Sequence, residues 1–162
     1  MGWCGSDVFD ASLADSKSMI TLFNVLDAPG VSVPLLWRLM QERPAYANIS
    51  HQSMPTMEGH KEFVLHHPYH AWYLIEVLSK EPGIDFPLRV GAIYLTKQSE
   101  IGIFILQQYQ GMGYATAAIE ELKRRHPKPY YLANVAPGNG PGIALFERLG
   151  GKIIQQTFKI FT

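Results

Sequence analysis

An apolar run that passes into two closely spaced glycines and then at once into helical periodicity leaves a chain few ways to fold, and residues 100–126 have this form. Glu100-Ile101-Gly102-Ile103-Phe104-Ile105-Leu106 reads as a buried strand, while Ala115, Ala118, Ile119 and Leu122 recur at helical spacing until His126-Pro127 stops the helix. Gln110-Gly111-Met112-Gly113-Tyr114-Ala115 is then a strand-to-helix turn. Glycine has no Cβ and adopts positive φ without strain, so Gly111 and Gly113 let backbone N–H groups converge at a helix N-terminus, where the helix dipole favours an anion. A pyrophosphate fits such a turn.

Two nucleotide-binding patterns do not account for it. The dinucleotide fingerprint needs G-x-G-x-x-G with an acid about 20 residues on, and the ATPase loop needs G-x-x-x-x-G-K-[ST]. The hexapeptide instead resembles motif A of the GNAT superfamily of acetyl-CoA-dependent N-acyltransferases, [QR]-x-x-G-x-[GA], with Gln110, Gly113 and Ala115 at the defined positions. Downstream, Val135 to Gly150 resembles the superfamily element V-x-x-x-N-x-x-[AS]-[IL]-x-[LF]-[YF]-x-[KR]-x-G, a strand, loop and short helix that flank the pantetheine arm. The two motifs stand in the superfamily order, one helix and one strand apart, and the resemblance covers about residues 90–160. It implies an α+β, GNAT-like fold: a mixed, mostly antiparallel sheet of about six or seven strands, flanked by about four helices, with a splayed parallel pair at the cofactor site.

The pattern along the chain agrees with that order. Met19–Leu26 reads as a strand, and Asp27-Ala28-Pro29-Gly30 as a turn. Ser32 is placed to cap a helix over Val33–Arg43, and Thr56 one over Met57–His66 with Phe63 and Val64 on its buried side. Ala71–Leu78 and Leu88–Leu95 read as a hairpin closed through Lys80–Asp85. Tyr130–Ala136 is expected to run parallel beside Glu100–Leu106, followed by a helix over Ile143–Leu149 and a last strand over Lys152–Phe161. One domain, 1–162, accommodates all of this, with the first 18 residues loosely held.

The resemblance also assigns roles. It implies acetyl-CoA as cofactor, with coenzyme A as product, and attack of a neutral primary amine on the thioester in a ternary complex. It places Phe104, Ile105 and Leu106 along the pantetheine, one of their N–H groups holding the thioester oxygen, and Gln110, Gly111, Met112, Gly113, Tyr114 and Ala115 around the pyrophosphate. Asn139 matches the superfamily asparagine and is expected to bond the pantetheine amide, or else to shape the Pro137–Gly142 turn. Glu100, ten residues before Gln110, stands near where several members carry a catalytic glutamate and is the expected base. Many members have tyrosine where this chain has Phe146, which has no proton for the departing thiolate and is left to pack against the pantetheine. Tyr114, Tyr131 and Ser53 remain as donors, or none is needed for a thiol of ordinary pKa near 8.5. The segment between the first two helices closes over the acceptor in the superfamily, which marks Asn48–Ser53, and Trp37, His51, His70, Trp72 and Tyr94 are available to line the pocket. His51, Trp72 and Tyr94 are the expected substrate contacts.

Charge narrows the partner. Lys plus Arg and Asp plus Glu are 14 each, so no net field favours nucleic acid or an anionic membrane. The cluster Lys123-Arg124-Arg125 falls at the end of a helix, where cations complement the dipole. A lone Cys4 supplies neither a disulfide framework nor a metal cluster, and no apolar run reaches the roughly 18 residues of a membrane span. The expectation is a cytoplasmic N-acetyltransferase without metal, free or as a homodimer, acting on a small amine such as an amino sugar or amino acid derivative. A protein N-terminal or lysine acetyltransferase and a non-catalytic acyl-CoA-binding module are the alternatives.

Overall fold

Four apolar runs pair in sequence order into one antiparallel sheet: β1 (Ile20–Asn24), β2 (Ala71–Val77), β3 (Leu88–Leu95) and β4 (Ile101–Ile105). The computed structural model describes residues 20–47, 53–78, 87–158 and 160. The expectations for residues 1–18, His51 and the Lys80–Asp85 turn lie outside them. The central strands β2 and β3 are buried almost throughout, as continuous apolar runs require when both faces of a sheet are covered.

Each face has its own helices. On one, Ile75, Ile93, Leu95 and Ile101 pack against Ala118, Ile119 and Leu122 of α3 (Tyr114–Arg125) and Leu145 of α4 (Gly140–Arg148). On the other, Trp72, Leu74, Ala92 and Leu106 meet Val33, Leu36 and Leu39 of α1 (Pro29–Glu42) and Val64 of α2 (Met57–His66). The two clusters follow from strand alternation, since successive side chains point to opposite faces.

Several boundaries differ from the pattern. α1 begins at Pro29 rather than after Ser32, because proline presets the first helical turn; Ser32 is buried within the helix and does not cap it. Thr56 does cap α2, its Oγ1 accepting from Gly59 N at 3.1 Å. The buried residue beside Val64 is His60, whose ring lies 3.1 Å from the Val33 carbonyl, whereas Phe63 is exposed. β1 stops at Asn24, and Val25–Asp27 form a 3-10 turn.

The expected fifth and sixth strands are not formed among the described residues. Tyr130–Ala136 meets β4 through a single parallel bridge, Glu100 to Leu132, where Ile101 N donates to Leu132 O (2.8 Å) and Leu132 N to Ser99 O (2.9 Å). Beyond it no further ladder bond links the two segments. Residues 151–158 have no regular structure, and Ile153, Ile154 and Phe158 are exposed. Apolar residues make a strand only where an edge is presented to them, and here none pairs with them. The α+β class and the helical complement stand; the sheet is the four-stranded antiparallel core.

Candidate active site

The site is built from what happens to β4 after its bridge to Leu132. Leu106 N donates to Val90 O at 2.9 Å, so the N–H groups of even-numbered residues here turn toward β3. Those of Ile101, Ile103 and Ile105 turn the other way. Ile101 uses its N–H on Leu132, and past that point Ile103 and Ile105 face the gap between β4 and the departing 130–136 segment. Of the three residues expected along the pantetheine, Ile105 is therefore the one whose N–H points into the gap; that of Leu106 is spent within the sheet.

The glycine turn closes the upper end of this gap. A 3-10 turn, Gln107–Tyr109, follows β4, and Gly111 and Gly113 take φ of 76° and 81°. Gly113 is the N-cap of α3 and supplies no side chain, so the first-turn N–H groups of Tyr114, Ala115 and Thr116 have no side-chain cap. An uncapped N-terminus of a 12-residue helix, reached over bare glycine backbone, fits a diphosphate. Gln110 folds back, donating from Nε2 to Ile105 O at 3.1 Å, while Met112 is exposed. Tyr114 and Ala115 turn their side chains to the core. Their contribution to an anion is the backbone.

Glu100 stands at the lower end. The turn from β3 places it: Thr96 N donates to Glu100 O, Glu100 N to Thr96 Oγ1 at 3.0 Å, and Ser99 takes a φ of 68°, which residues other than glycine seldom adopt. Its Oε1 accepts from Asn134 Nδ2 at 3.0 Å and its Oε2 from Thr96 Oγ1 at 3.4 Å. The carboxylate thus sits at the closed vertex of the splay, tied to both the β3 turn and the 130–136 segment. Five residue steps separate it from Ile105, roughly 17 Å of strand, so a proton from an amine near Ile105 would travel to it through water.

On the same face of β4, Tyr94 lies across Gly102, where a Cβ would overlap the phenol ring. Tyr94 stacks on Tyr69, centroids 4.0 Å apart and planes within 7°. Arg43, the residue after α1, lays its guanidinium 3.9 Å over the Phe104 ring. Burial pushes the Tyr69 phenol up to about 12 and raises Tyr94 as well, against the pull of Arg43; both stay protonated donors near neutrality. Burial also lowers Arg43 from its ordinary value.

The expected contacts divide. Tyr94 and Phe104 come together at this face, whereas Trp72 is buried beneath it, edge-on to Tyr69 and Phe63. Trp37 packs on His60 between α1 and α2, and His70 lies beside His126. Asn139 caps α4 through Oδ1, accepting from Gly142 N at 3.1 Å, which is the turn-shaping alternative. Phe146 packs on the core beside Leu145. The Tyr131 hydroxyl is engaged by His126 O at 2.6 Å and Lys128 N. Arg43, Tyr69 and Asn134 were missed. Asn134 had a signal, a single amide inside the apolar run Tyr130–Ala136; Arg43 had none.

Comparison with known proteins agrees with the geometry. The family model for the Acetyltransferase (GNAT) family matches residues 43–151, more than half of the chain, and the chain belongs to that family. No curated protein matches it. Among solved structures it is similar to a domain from Methanocaldococcus jannaschii, with a TM-score of 0.66 at 17% identity over 85% of this chain and 91% of that one. It is also similar to an acetyltransferase from Thermus thermophilus (TM-score 0.60, 21% identity, 85% and 89% covered). A third is the Microcin C7 self immunity acetyltransferase MccE, solved with acetyl-CoA and AMP (TM-score 0.54, 16% identity, 87% and 85% covered). At these identities the likeness is one of fold.

Proposed function

We propose that the chain transfers the acetyl group of acetyl-CoA to the primary amine of a small molecule by direct attack. The observation that supports this most is the gap between β4 and residues 130–136: Ile105 N–H faces it, the uncapped N-terminus of α3 closes its upper end, and Glu100 stands at its lower end. In this reading the first-turn N–H groups of α3 hold the diphosphate. Ile105 N–H donates to the thioester oxygen as charge builds there, a role typically worth about 3–4 kcal/mol. Glu100 takes the ammonium proton through water, and Asn134 holds the carboxylate in line.

Steady-state release of coenzyme A with a panel of small amines tests it. Glu100→Gln is expected to lower kcat/KM by about 10²–10³ with the KM for acetyl-CoA little changed, the range for loss of a general base. An unaltered rate and an unaltered acidic limb of the pH profile would move the base elsewhere. Phe146, with no hydroxyl to give, favours a second reading, a module that binds acyl-CoA without turnover. Acetylation of any amine in the panel removes that reading.

A further inference from the structure

Strand alternation breaks at one place in β3. Ala92 packs on the α1 side of the sheet and Ile93 and Leu95 on the α3 side, but Val90, two residues before Ala92, also packs on the α3 side. The pairing with β2 gives the reason. Ile75 faces Gly91 and Glu76 faces Arg89, so Val90 is one residue too many in β3, a β-bulge. Contacts on both sides hold it there. Glu76 and Arg89 form an ion pair at 3.0 Å on the β2 side, and Leu106 N donates to Val90 O at 2.9 Å on the β4 side.

Gly91, beside the bulge, faces Ile105 of β4. A Cβ on Gly91 would overlap the Phe104 carbonyl oxygen and lie 3.0 Å from Ile105 Cδ1 and 3.1 Å from Ile105 Cα, so β4 lies closer to β3 here than any side chain allows. Resting on the acetyltransferase reading, we propose that Gly91 is a positioning residue for the transfer: the space left by its missing Cβ seats the Phe104–Ile105 peptide and so aims the Ile105 N–H at the thioester oxygen. The Phe104 carbonyl and the Ile105 N–H belong to one planar trans peptide and point in opposite directions. With the oxygen lodged against Gly91, the N–H faces the gap. The effect of filling that space is one-sided. β3 is paired on both sides, with β2 and with β4, whereas beyond Ile101 no strand pairs with the outer side of β4 among the described residues. A methyl at Gly91 therefore displaces β4 and tilts this peptide toward the gap. The displaced atoms are backbone and cannot rotate aside as a side-chain end would.

The test reads kcat per folded molecule with the amine panel in wild type, Gly91→Ala and Ile93→Ala, the last a buried β3 variant that loosens the same sheet without setting an atom against the Phe104–Ile105 peptide. Gly91→Ala is expected to lower kcat at least about tenfold, since a misplacement near 1 Å can cost about 10²-fold. Its Kd for coenzyme A, held at the α3 turn and lacking the acetyl group, should change less than about threefold, and Ile93→Ala should keep kcat within about threefold of wild type. A folded Gly91→Ala that keeps its kcat overturns the proposal while leaving the acetyltransferase reading in place. So does an equal fall in both variants, which marks a sheet that is merely softened. If Gly91→Ala does not fold, wild type carries the test by NMR: the cross-peak between Gly91 and Ile105 Hα protons should persist with acetyl-CoA bound, and the Ile105 amide should shift further with acetyl-CoA than with coenzyme A. Loss of the cross-peak, or an Ile105 amide indifferent to the acetyl group, overturns the proposal. No acetylation of any amine by wild type overturns both readings.

Discussion

Two stretches of this chain handle their backbone polar groups in opposite ways. From β1 to β4 the strands pair along their lengths, Ile20 to Asn24 against Tyr73 to Val77, Ala71 to Val77 against Leu88 to Leu95 with one register shift between Ile75 and Glu76, and Gly91 to Leu95 against Ile101 to Ile105. After α3, residues 126–158 pack side chains on that sheet but share backbone hydrogen bonds with it at one bridge, at Leu132, and end in an exposed run. The first stretch spends its N–H groups on itself. The second withholds a strand from β4 and so leaves Ile103 and Ile105 turned toward a gap, where a ligand can take what a neighbouring strand would have taken. In this molecule the incompleteness of the sheet is what opens the candidate site.

The contrast predicts effects of unequal size. The largest falls in the paired stretch. Ile93 is fully buried between β2 and β4 and packs on the α3 face, so Ile93→Ala should cost about 2–5 kcal/mol in urea unfolding, lost burial plus a cavity. A cost under about 1 kcal/mol would mean that the sheet is not the rigid partner. Next is the turn. Gly113 has a φ of 81°, where a β-branched residue is strained, and it opens the N-terminus of α3. Gly113→Val should weaken acetyl-CoA binding at least tenfold, more than about 1.4 kcal/mol by calorimetry, and unchanged affinity would remove the diphosphate from this turn. The smallest effect is expected in the tail. Ile154 is 79% exposed, so Ile154→Ser should shift stability by no more than about 0.5 kcal/mol. A larger loss would show that the tail is covered in solution and would narrow the contrast between the two stretches.

Much of the paired stretch was legible. The hairpin of β2 and β3 and the start of α2 at Thr56 follow from local signals: apolar runs and a hydroxyl that can satisfy an orphan N–H. The glycine turn was legible for the same reason, since positive φ at Gly111 and Gly113 is a property of those residues. Lys152–Phe161 was misread because apolar content records what a segment could pair with and says nothing of whether an edge is offered. Phe63 and His60 exchanged places for a related reason: hydrophobicity favours Phe63, but His60 can reach the Val33 carbonyl and so satisfy itself in the interior.

By itself the sequence determined the order of elements, the glycine turn and the family, because each rests on residues near one another in the chain whose backbone preferences act locally. Tertiary structure alone decided the aromatic face of β3 and β4. Arg43, Tyr69, Tyr94 and Phe104 come from the end of a helix, the approach to β2, and two strands, and neither their spacing nor their types foretell that they meet. It also decided which N–H groups of β4 stay open. That depends on where the 130–136 segment leaves the sheet, a balance between one bridge at Leu132 and the packing of α3 and α4 on the far face, which is set by contacts distant in the chain.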